Sequence, residues 1–170
     1  MKKLKTKDIT TTALIGAVAL VLSYVEMILP DFPFVLPGMK LGLSNIATMF
    51  ALSALNLWSA LVVCIVKAVF ALLMRGFTAF LMSLCGAVLS TLAMYLVLKF
   101  KCFGFIGVGV CGAFFHNLGQ ILVAFVLTDS TVFAYFFVLG LSSLVTGSIT
   151  AFVVYIVLPK VLRTDLYKGV

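Results

Sequence analysis

Apolar residues do not alternate along this chain, nor do they mark one face of a helix. They come in runs of about twenty that are hydrophobic on all sides. Such runs suit helices surrounded by lipid, which need roughly 20 apolar residues to cross ~30 Å of hydrocarbon. The runs predict helices over about 9–29, 40–55, 57–74, 77–98, 103–127 and 132–158. Pro30-Asp31-Phe32-Pro33 and Pro37-Gly38 interrupt the first two, because proline lacks an amide proton and stops a helix. Asn56, Arg75-Gly76, Lys99 to Lys101 and Thr128-Asp129-Ser130 mark the remaining turns, and Pro159-Lys160 is expected to end the last helix. The expected fold is all-α: one transmembrane domain over 1–170, an integral six-helix bundle.

Composition removes the soluble alternative. Of 170 residues, 64% are hydrophobic and 10% charged, where a soluble domain carries about 25% charged residues. The mean hydropathy is +1.31. The formal charge of +7 sits mainly at helix ends and forms no basic stripe, so no nucleic-acid partner is expected. The first run follows Lys2, Lys3, Lys5 and Lys7. It is too long for a signal-peptide core and no A-x-A site follows, so it reads as a retained helix. With the N-terminus inside, the inner side holds Lys2, Lys3, Lys5, Lys7, Lys99, Lys101, Lys160, Arg163 and Lys168. The outer side holds Lys40 and Arg75, together with Glu26, Asp31 and Asp129. Nine basic residues against two place both termini in the cytoplasm.

Polar groups inside such runs are costly and therefore candidates for function. Lys67 lies well inside the third helix. It either faces an anionic ligand, snorkels outward, or pairs with an acid such as Glu26. His116, Asn117 and Gln120 sit mid-way along the fifth helix, with 116 and 120 on one face. They predict an inward polar pocket, or else hydrogen bonds between helices. Lys40, Ser44, Asn45 and Arg75 are expected to ring the outer mouth, with Phe32 and Phe34 in a covering loop. The candidate ligand-binding residues are Lys40, Asn45, Lys67, Arg75, His116, Asn117 and Gln120. Small residues recur at packing spacing: Ala13, Gly16 and Ala17; Ser83, Ala87, Ser90 and Thr91; Gly109 and Ala113; Gly140, Ser143, Gly147 and Ala151. These rows suit close helix contacts, and the first also suits docking of another membrane subunit. Cys64, Cys85, Cys102 and Cys111 form no C-x-x-C pair, so neither a zinc site nor a disulfide framework is expected.

The strings PGMKLGLSNI (37–46) and GAFFHNLGQ (112–120), with Lys67, Arg75-Gly76-Phe77 and SLCGAVLS (83–90) between them, resemble the Gx transporter family. That family is often labelled heptaprenyl diphosphate synthase component I. It is similar in turn to the substrate-binding S components of energy-coupling-factor importers. The resemblance implies a multi-pass protein of a bacterial plasma membrane that binds a small organic ligand. It also implies a docking face at Ala13, Gly16 and Ala17 for a transmembrane coupling subunit with its ATPases. Relatives found with flavin-based electron transfer and quinone proteins make flavin or quinone a possible ligand, and a role in electron transfer or in isoprenoid and menaquinone synthesis an alternative. Prenyl synthases hold magnesium on aspartate-rich motifs. Here Asp8, Asp31, Asp129 and Asp165 are isolated, and no phosphate-binding loop is present. The chain is therefore expected to be neither the synthase catalyst nor its own ATPase, and to carry no cofactor or metal of its own.

Overall fold

A computed structural model describes residues 6–28, 42–101, 103–128 and 135–163. They form six helices: α1 Thr6–Ile28, α2 Asn45–Ala54, α3 Leu57–Arg75, α4 Phe77–Phe100, α5 Phe105–Thr128 and α6 Tyr135–Arg163. All but α2 are long and apolar enough to cross a membrane. Their outward surface is hydrophobic, as at Leu73, Val126, Phe137 and Tyr155. Lipid, not water, is the solvent that such a surface suits.

Short connections force α3, α4 and α5 to run alternately. Asn56 caps α3 by accepting a hydrogen bond from Ser59 N at 2.9 Å. Gly76, at φ +86°, ends α3 and begins α4 in one residue, a backbone geometry that a side chain would strain. The basic residues Lys7, Lys99, Lys101 and Lys160 consequently share one end of the bundle. Arg75 marks the opposite end.

Helix α2 departs from expectation. The apolar run predicts a helix from 40, but the described chain is a turn through Gly42, Leu43 and Ser44, and the helix begins at Asn45. Gly42 has φ +82°, and a Cβ there would lie 2.8 Å from Asn45 Nδ2. Its ten residues extend about 15 Å, half the hydrocarbon thickness. This short helix touches all five others, whereas α1 packs only on α2 and α3 among the described residues. α2 thus occupies the centre of the bundle and fills the opening between α1 and α6. Ala47, Thr48, Met49, Ala51 and Leu52 are buried there.

Three further expectations change. Helix α6 runs through Pro159 to Arg163 instead of ending there. Proline removes one backbone hydrogen bond, yet its φ fits a helix, and a single lost bond does not terminate a long span. Phe103 and Gly104 precede α5 instead of opening it. Glu26, counted with the charges of the outer side, lies within α1 as expected but is buried there. The small-residue rows of α5 and α6 do meet: a Cβ on Gly109 would strike Gly147 O and sit 2.7 Å from Ala151 Cβ. The row on α1 divides, Gly16 facing inward while Ala13 and Ala17 face outward.

Candidate functional site

Lys67 lies ten residues past the start of α3, about 15 Å along the axis. It is 3% exposed. A lysine at such depth costs about 3 kcal/mol on insertion scales unless it finds partners. Its Nζ donates to Asn45 Oδ1 at 3.0 Å and Thr48 Oγ1 at 3.4 Å, both on the first turns of α2. Its direct partners are therefore amide and hydroxyl oxygens, and the pairing with Glu26, one of the alternatives open in the sequence, is not among its hydrogen bonds. Glu26 Oε1 instead accepts from the backbone amides of Gly42 and of Leu43, the latter at 3.2 Å. Glu26 and Lys67 line the same cavity.

His116 and Gln120 face the same interior from α5, one turn apart, with Gln120 Nε2 3.1 Å from His116 Nε2. The tautomer of the ring sets which group donates, and the second ring nitrogen is Nδ1. That nitrogen lies against Gly86: a Cβ on Gly86 would come within 3.0 Å of Nδ1 and 2.9 Å of the His116 carbonyl oxygen. Glycine at 86 therefore lets α4 approach closely enough for the imidazole to fit. Gln120 Oε1, also buried, has no hydrogen-bond partner, an unusual state for an interior acceptor.

These groups converge. A cavity near the end of the bundle where α1 and α3 finish is lined by Glu26, Lys67, Arg75, His116 and Gln120. The hydroxyl-bearing Ser23, Ser44 and Ser83 also line it. Met27, Phe70, Met74 and Met82 form its apolar wall. The cavity volume is about 50 Å³ within a cleft of about 550 Å³ that includes its open mouth. The inner part has room for a few water molecules.

The site foreseen in sequence is divided by this geometry. Lys67, Arg75, His116 and Gln120 share the cavity, and Asn45 is joined to it through Lys67. Asn117 turns away: its Nδ2 donates to Leu139 O at 3.1 Å and Ser143 Oγ at 3.0 Å, tying α5 to α6. Lys40 and the covering loop with Phe32 and Phe34 lie outside the described residues. Sequence reasoning passed over Glu26 as a lining residue; its one signal was an acid four residues before Pro30, within the apolar run.

Residues 15–157 match the family described as heptaprenyl diphosphate synthase component I. The chain belongs to that family. The component I match spans from within α1 to within α6 and includes every cavity-lining residue. No curated protein and no solved structure matches the chain. For this component I chain, the family and its helices establish a multi-pass membrane protein.

Proposed function

We propose that this chain is the ligand-binding subunit of a transporter in a bacterial plasma membrane, holding a small anionic or polar organic molecule in the cavity. The supporting observation is convergence: the side chains of Lys67, Arg75, Glu26 and His116 and a partnerless amide oxygen of Gln120 line one cavity of the bundle. Lys67 and Arg75 make the interior attractive to an anionic group. Gln120 Oε1 accepts from an N–H or O–H on the same molecule. Binding anything larger than a few waters displaces wall side chains, and Met27, Met74 and Met82 are flexible enough to yield.

Energy for transport comes from partner proteins, since the chain has no phosphate-binding loop. Ala13 and Ala17, outward on α1, suit close approach by a coupling subunit of the energy-coupling-factor type. The test is affinity purification in mild detergent, with mass spectrometry of both co-purifying proteins and retained small molecules. Lys67→Ala and Gln120→Leu should each reduce the retained molecule about tenfold, the value of one or two buried polar contacts. Full retention in both variants removes the cavity as the binding site. An absorbance spectrum of the same preparation reveals a flavin or a quinone if either is the molecule held.

The family description favours a second reading, a non-catalytic membrane component of heptaprenyl diphosphate and menaquinone synthesis. Deleting the gene and measuring menaquinone side-chain length separates the two. Unchanged menaquinone excludes the second.

A further inference from the structure

Irregular backbone at membrane depth survives only where its amides find acceptors inside the protein. The turn through Gly42, Leu43 and Ser44 is such a place. Asn45 N bonds to Gly42 O at 2.8 Å and Ile46 N to Leu43 O at 3.1 Å, which starts α2. The amides of Gly42 and Leu43 lie ahead of α2, which begins at Asn45. Ser44, at the N-cap position, makes no side-chain cap bond. Both amides are received instead by Glu26 Oε1, from a different helix. The next residues form the site: Ser44 lines the cavity and Asn45 holds the Lys67 ammonium at 3.0 Å. The Gly42 backbone also lies against His116, whose Cδ2 would be 3.4 Å from a Cβ at 42.

We infer that Glu26 is the positioning residue of this cavity: from α1 it clasps the amides of Gly42 and Leu43, and so sets Asn45 and, through it, the Lys67 ammonium. Removing the carboxylate frees the turn, releases Asn45, and lets Lys67 reach water. The importance of Glu26 for ligand binding rests on the function proposed above. The hydrogen-bond relay itself needs no ligand, so either idea can fail while the other stands.

Hydrogen–deuterium exchange with residue-level fragmentation, in lipid nanodiscs, tests the relay in wild type, Glu26→Gln and Glu26→Ala. Acylation of Lys67 by sulfosuccinimidyl acetate is measured in parallel. In wild type the Gly42 and Leu43 amides should be protected like helical amides. Glu26→Ala should speed their exchange about ten- to a hundredfold, and Glu26→Gln by less, since its amide oxygen still accepts but carries no charge. Lys67 acylation should rise in the same order, while residues 86–94 of α4 stay protected. Any of three results overturns the inference: free exchange at Gly42 and Leu43 in wild type, unchanged exchange and acylation in the variants, or equal loss of protection in 86–94. Should Glu26→Ala not fold, wild type and Glu26→Gln decide the matter.

Discussion

His116 occupies space that Gly86 leaves open, and Gly119 presses even closer, with a Cβ there falling 2.7 Å from Gly86 Cα. Backbone cannot step aside as a flexible side chain can. Gly119→Ala should therefore lower stability by about 1–3 kcal/mol, seen as a lower midpoint in thermal unfolding in detergent. Gly140→Ala, where nothing lies within 4 Å, should leave the midpoint unchanged. Asn117→Ala removes two hydrogen bonds to α6. Interhelical bonds in membranes average about 0.6 kcal/mol each, so a loss near 1 kcal/mol is expected, with retention of the bound molecule unaffected. That contrast with Gln120→Leu separates a packing amide from a cavity amide three residues away.

Among the elements, α2 depends most on its neighbours. Ala51 is fully buried at its centre, and every other helix touches α2. Ala51→Leu should push α2 off its neighbours and lower stability by about 1–3 kcal/mol, read by thermal unfolding. Hydropathy made α3 and α4 legible almost to the residue, because continuous apolar runs ended by Asn56, Gly76 and Lys101 have few other readings. It misjudged the start of α2, since the apolar stretch from 40 continues smoothly through a glycine whose left-handed φ breaks the helix. It misjudged the end of α6, where proline is only one bond lost. Lys67, His116 and Gln120 stood out in the sequence because ionisable and amide groups avoid lipid, although an outward-snorkelling Lys67 remained an alternative there. Asn117 was not separable from His116 by that logic, since one residue is a 100° rotation and only the position of α6 says which wall it meets. Glu26 was hidden by its nearness to the helix end, where an acid ordinarily faces water.

At the scale of the molecule, the clustering of Lys7, Lys99, Lys101 and Lys160 at one end implies a single orientation. In a cysteine-free background, Lys101→Cys and Lys160→Cys should react with a membrane-impermeant maleimide only after the cells are permeabilised. Thr78→Cys, exposed at the opposite end of the bundle, should react in intact cells. The opposite pattern inverts the orientation.

The contact between Lys67 and α2 also bears on biosynthesis. Emerging alone from the translocon, α3 would bring a bare ammonium into the acyl region, and α2 would be too short to span it. Joined by the Leu55–Asn56 turn, the pair can enter together, Asn45 and Thr48 escorting the ammonium. The remaining walls of α2 belong to α4, α5 and α6, which the ribosome delivers later, so the middle of this protein is the last part to be finished.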